Sequence, residues 1–200
     1  MGCDIHTYVE IKKYVNNEEK WVSADYYEKN PYYDGLDDDE KQFSIVHIFD
    51  NRDYGLFSIL ADVRNYGNNT PIHVPKGIPD DCCDEIKKEY KGWSSDGHSH
   101  SYFTLKELKD YFNTHKTIKR SGMISESSAF NLDTNNIKPN CWCRGTNLPG
   151  WVYREWEDEF TGLNEIIKKL TERLLNMLYI NDSMVDEFSD KIRLVFWFDN

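Results

Sequence analysis

Apolar and polar residues alternate at the start of the chain. In "CDIHTYVEIKK", Cys3, Ile5, Thr7, Val9 and Ile11 fall on one side and Asp4, His6, Tyr8 and Glu10 on the other. That period of two is the signature of a strand with one buried face. "NNEEK" turns the chain and "WVSADYY" returns it, so the pattern predicts a hairpin. Residues 28–42, with Pro31 and Gly35, read as a loop, and "FSIVHIF" (43–49) as a buried strand carrying His47 as a core histidine.

The spacing then changes to threes and fours. "NRDYGLFSILADVRNYG" predicts a helix capped by Asn51, striped by Leu56, Ile59, Leu60 and Val63, and stopped by Gly67. "PDDCCDEIKKEYKGW" predicts a short helix, its acids early and lysines late, as the helix dipole prefers. "TLKELKDYF" opens with a capping box, Thr104 and Glu107, so His98 and His100 lie just upstream of a helix start. His115 follows the end of that helix and reads as structural. Residues 114–150 are rich in Ser, Asn, Pro and Gly and read as a long polar loop. Leu163, Ile166, Ile167, Leu170, Leu174, Met177 and Leu178 predict a long amphipathic helix, with Glu165 and Lys169 paired outside. "KIRLVFWFDN" closes the chain as a strand.

Strands at both ends with helices between predict a single α+β domain over residues 1–200. Its small, mostly antiparallel sheet joins the N-terminal hairpin to the C-terminal strand and is packed by several helices. Antiparallel pairing of the last strand with the first would set Asp199 beside Asp4 and His6.

Composition narrows the function. Two hundred residues suffice for one sizeable core. The apolar mass lies in aromatic residues, 14% of the chain, whose polar ends need partners; a pocket or an interface is expected, and a homo-oligomer stays open. A formal charge of −11 argues against duplex nucleic acid and anionic membranes. No apolar run approaches the roughly 20 residues of a membrane span, and no signal peptide is visible, so a cytoplasmic setting is expected. Five cysteines, two of them adjacent at Cys82 and Cys83, point to a reducing compartment and buried, inert thiols. The "DGLDDDE" run reads as a solvated loop, or, through Asp37, Asp38 and Asp39, as a DNA-like patch for a protein partner.

Two short patterns carry candidate chemistry. Asp4 and His6 (D-x-H) and His98 and His100 (H-x-H) each project two ligands from one side of an extended segment. Carboxylate oxygen and imidazole nitrogen suit a divalent metal such as Zn, Mn or Fe. "CDIH", "FDNRD", "YGNN…H" and "DGHSH" follow the order of motifs in the calcineurin-like metallophosphoesterases, which this ligand set resembles. The resemblance implies Asp4, His6, His98, His100 and Asp50 as metal ligands, with Asp53 and His73 as catalytic groups. Phe49 stands where that family has glycine, and Asn69 rather than His follows Asn68.

"MGCDIH", "LFSILADVRN" and "DGHSHSYFTLKEL" together resemble uncharacterised proteins of tailed phages and prophages, over about half the chain. Two readings follow. One is a phage-encoded, metal-dependent hydrolase of a phosphoester or nucleotide. The other is a non-catalytic anti-defence protein that binds a host defence component or sequesters a signalling nucleotide.

Overall fold

The computed structural model describes residues 2–35, 41–93, 95–145 and 149–200. The acidic run from Asp37 to Glu40 lies outside them. The first alternating segment is β1 (Asp4–Val15), and β2 (Glu18–Ser23) returns beside it. Asn16 and Asn17 turn the chain with φ of 52° and 64°, the left-handed pair that a tight hairpin requires.

The C-terminal strand β8 (Ile192–Asp199) pairs antiparallel with the other edge of β1, Asp4 opposite Asp199 and His6 opposite Trp197. β5 (His98–Thr104) closes the sheet in the order β2-β1-β8-β5. The expected α+β class and the pairing of the two chain ends are thus both found.

The sheet's two faces do different work. Ile5, Val9 and Ile11 of β1 share one face with Leu194, Phe196 and Phe198 of β8. That face packs on α1 (Tyr54–Ala61), α3 (Leu105–Thr114) and α5 (Thr161–Leu178). The stripe read along α5 is real: Leu163, Ile166, Leu170 and Leu174 are fully buried, each contributing about 1.5–3 kcal/mol of transfer free energy. α3 carries the full capping box between Thr104 and Glu107.

The opposite face presents Tyr8, Val195 and Trp197 to α2 (Asp84–Trp93). A buried ion pair, Arg193 Nε to Glu10 Oε2 at 2.7 Å, holds that face together, and the other Glu10 oxygen accepts from the Cys83 amide.

Several elements depart from expectation. α1 starts later and stops earlier than the apolar pattern implies: Asp53, not Asn51, is the cap, and Asp62 in the left-handed region (φ 59°) ends it. Residues 43–49 yield only β4 (Phe43–Val46), a short and largely exposed partner of β3 (Tyr26–Lys29). His47 is half-buried, its Nδ1 2.7 Å from the Thr7 carbonyl.

The supposed loop over 114–150 contains β6 (Thr117–Ser125) and α4 (Glu126–Asn135). β6 pairs along its full length with β7 (Trp151–Glu159), a strand the pattern did not announce. Neither strand alone shows a clean alternation, because this two-stranded sheet buries little: Ile118 and Ile124 on one strand, Trp156 on the other. Among the described residues no helix is long and apolar enough to cross a membrane.

Candidate functional site

The histidines of interest come from the strands that flank β8. His6 sits on β1 opposite Trp197, its ring 6.3 Å from the indole and 3.9 Å from that of Trp93 at the end of α2. Asp199, set diagonally by the β1–β8 register, brings Oδ2 to 3.4 Å from His6 Nε2 without hydrogen-bond alignment. Burial lowers the His6 pKa, and Asp199 opposes that shift.

On the far side of β8, His100 lies 5.9 Å from the same indole and 4.8 Å from Tyr90; burial lowers its pKa as well. His98 goes elsewhere. The pairing of β5 with β8 slips by one residue between His98 and Ser101, and Ser99 takes up the slip at φ 52°. His98 therefore pairs with Phe198, 6.0 Å ring to ring, on the face opposite Trp197. A β-bulge has split the H-x-H pair across the sheet.

Strand spacing separates the remaining candidates too. β1 and β5 both neighbour β8, so their backbones stand about 9–10 Å apart, with Trp197 between His6 and His100. Asp4 shares the His6 face but is occupied: Arg52 Nε and Nη2 donate to its two oxygens at 2.5 and 2.6 Å, a bidentate pair that lowers the Asp4 pKa. Among the described residues no three His, Cys, Asp or Glu side chains are grouped to hold a metal ion. The expected ligands Asp4, His6, His98 and His100 are thus spread over both faces of the sheet, with Asp4 paired to Arg52.

The other expected residues make local contacts or lie exposed. Asp53 Oδ1 caps α1, accepting from the Gly55 and Leu56 amides at 3.0 and 3.3 Å, and also accepts from Arg120 Nη1 at 3.1 Å. Those bonds give Asp53 a structural role at the start of α1. Asp50 is exposed just before α1. His73 is exposed between α1 and α2, its Nδ1 2.7 Å from the Val74 carbonyl. His115 ends α3 and stacks on Tyr111 at 4.1 Å, as a structural residue would. The cysteines are all free; Cys3, Cys82 and Cys83 are buried, but Cys141 is exposed, contrary to the expectation of buried thiols throughout.

A different site emerges beside α1. A cavity of about 240 Å³ is lined by Arg52, Arg64, Lys119 and Arg120, with Asp53 its one carboxylate, and by the rings of Tyr54, Tyr66 and Trp142. Two copies of one short pattern build it: R-D-Y-G (52–55) enters α1 and R-N-Y-G (64–67) leaves it. The two tyrosines meet edge to face at 6.1 Å. Each glycine lets β6 come close. A Cβ on Gly55 would stand 2.8 Å from Ile118 Cδ1, and one on Gly67 only 2.1 Å from the Lys119 carbonyl oxygen.

Asn69 seals that edge by pairing with the Lys119 backbone in both directions, Lys119 N to Oδ1 at 2.9 Å and Nδ2 to Lys119 O at 3.0 Å. Arg120 reaches over from β6, its guanidinium 5.4 Å from the Trp142 ring. Its Nε is buried and makes no hydrogen bond, although Asp158 lies 3.2 Å away. Arg144 covers Tyr66 at 3.3 Å.

Of the residues that line this cavity, Asp53 alone stands out in the sequence as a candidate functional group. The repeated R-x-Y-G was the available signal, but nothing local says that its two copies converge on a strand some fifty residues further on. Compared with protein-family models, curated proteins and solved structures, the chain finds no match.

Proposed function

We propose that the chain binds a phosphorylated, ring-bearing ligand of the nucleotide class in the cavity beside α1. One observation carries the reading: a chain of net charge −11 lines a single aromatic cavity with four cationic residues and one carboxylate. Guanidinium forks match phosphate oxygens in geometry and charge. Tyrosine and tryptophan rings accept a base by stacking, worth about 1–3 kcal/mol per base. Part of the positive charge is already met, since Arg52 holds Asp4 and Arg120 holds Asp53 and Asp158. The resemblance to phage proteins supplies a setting in which such binding sequesters a host signalling nucleotide.

Calorimetry against nucleoside mono-, di- and cyclic phosphates tests this. A dissociation constant on the order of micromolar is expected, about −8 kcal/mol. It should weaken tenfold or more in Arg64→Ala and in Tyr66→Ala, with the ligand recovered unmodified. No heat from any phosphorylated compound at millimolar concentration would refute the reading.

A second reading, metal-dependent hydrolysis of a phosphoester, is favoured by one fact. His6, His98 and His100 each keep a buried Nε2 with no hydrogen-bond partner. Elemental analysis of wild type beside His98→Ala/His100→Ala decides it. Stoichiometric zinc, manganese or iron in the wild type, lost in the variant, is required.

A further inference from the structure

A second cavity, of about 430 Å³, lies between the β3–β4 hairpin and α2, and its chemistry is the reverse of the first. Its floor holds Asp25, whose side chain is 1% exposed and whose Oδ1 accepts from the Val9 amide at 3.0 Å and from Arg173 at 3.3 Å. Its walls are aromatic. Tyr8 stands at the back, edge to face with His47, and Tyr27 and Phe43 project from the face of the hairpin that also carries Ile45. Both hairpin rings are half exposed, at 51% each, although they line a cavity. α2 contributes Glu85 and Glu89, one turn apart and therefore on one face.

The three carboxylates act on common ground. After burial, the charges of Asp25, Glu85 and Glu89 all raise the Tyr27 pKa, and those of Glu89 and Asp25 raise that of Tyr8. The rim already seats an ammonium group: Lys41 Nζ lies 2.6 Å from Glu89 Oε1. Lys88 is the other cation at the rim, and its side chain is exposed.

We propose that this cavity binds an alkylammonium compound of the diamine or polyamine class, its ammonium groups on the carboxylates and its methylene chain along Tyr27 and Phe43. Aromatic faces hold cations by their quadrupole, the more strongly the more the cation is desolvated. A carboxylate below the rings supplies the hydrogen-bond acceptor that a primary ammonium needs and a quaternary one cannot use. Lys41 marks the place at the mouth: its ammonium on a four-carbon stem has the chemistry of one end of such a ligand. The ligand must displace it from Glu89. This site is separate from the nucleotide cavity and stands or falls independently of it.

Calorimetry with putrescine, spermidine and tetramethylammonium on the full chain tests the proposal. Putrescine or spermidine should bind, and tetramethylammonium should bind at least tenfold more weakly. Glu85→Gln and Phe43→Ala, both at exposed positions that leave the core intact, should each weaken binding several-fold. Lys41→Ala should tighten it several-fold by freeing Glu89, an effect that a merely structural Lys41 would not produce. Absence of diamine binding at millimolar concentration, or equal affinity for tetramethylammonium, or binding unmoved by Lys41→Ala, would each overturn the assignment.

Discussion

Asp53 offers the sharpest test of the reading of the region around α1, because its carboxylate has a structural account that predicts numbers. It accepts two backbone amides at the start of α1 and the guanidinium of Arg120. Replacing a capping Asp by Ala costs about 1 kcal/mol. A hydrogen bond to a charged group contributes about 1.5–3 kcal/mol, and this one sits between side chains only 14% and 19% exposed, where solvent screens little. Asp53→Ala should therefore lose about 3 kcal/mol of stability. Asn caps as well as Asp, so Asp53→Asn should lose only the ionic part, about 2 kcal/mol.

Urea unfolding followed by tryptophan fluorescence reads both variants. With a denaturant slope of about 2 kcal/mol per molar, the midpoints should fall by roughly 1.5 M for Ala and 1 M for Asn. Phosphate binding gives a second readout, since Asp53→Asn removes the one carboxylate lining the cavity and should tighten inorganic phosphate binding, most visibly at low salt. Wild-type midpoints in both variants would refute the capping argument. Weaker phosphate binding by a folded Asp53→Asn protein would give the Asp53 carboxylate a part in holding the ligand.

Two further outcomes follow from single positions. A methyl group on Gly67 would stand 2.1 Å from a backbone oxygen, so Gly67→Ala must push the 66–69 segment off β6 and should cost about 3 kcal/mol in thermal or urea unfolding; Gly92→Ala, with nothing within 4 Å, should instead gain about 0.5–1 kcal/mol from helix propensity. Equal effects of the two substitutions would show that β6 does not approach as described. Burial, opposed by Arg173, raises the Asp25 pKa from the ordinary 3.8 to about 6. Between those values the folded chain binds the proton that the unfolded chain releases, so this group makes stability fall as pH rises from about 4 to about 6, by up to about 3 kcal/mol. Unfolding free energies across that window should slope down in the wild type and lose this component in Asp25→Asn; identical slopes would refute the burial argument.

What could be read along the chain was whatever rests on local periodicity. The alternation from Cys3 to Ile11 and the β-prone "KIRLVFWFDN" implied two strands, and their places at the two ends of the chain suggested the pairing. The register found, Asp4 opposite Asp199, follows from burying Ile5, Val9 and Ile11 with Phe198, Leu194 and Ile192. The stripe of α5 and the capping box of α3 were equally legible, since each needs only neighbours within a turn or two.

The candidate sites were decided elsewhere. Whether His98 joins His100 depends on one extra residue, Ser99, in the pairing of β5 with β8, and a one-residue slip exchanges the faces of a strand. Whether Arg52 and Arg64 share a cavity depends on β6 crossing beside Gly55 and Gly67, and β6 holds its place by pairing with β7. Residue types and local spacing were present in the sequence for both. The side of the sheet a residue faces, and the strand it meets, are set by contacts between segments far apart along the chain, and periodicity within one segment carries no information about them.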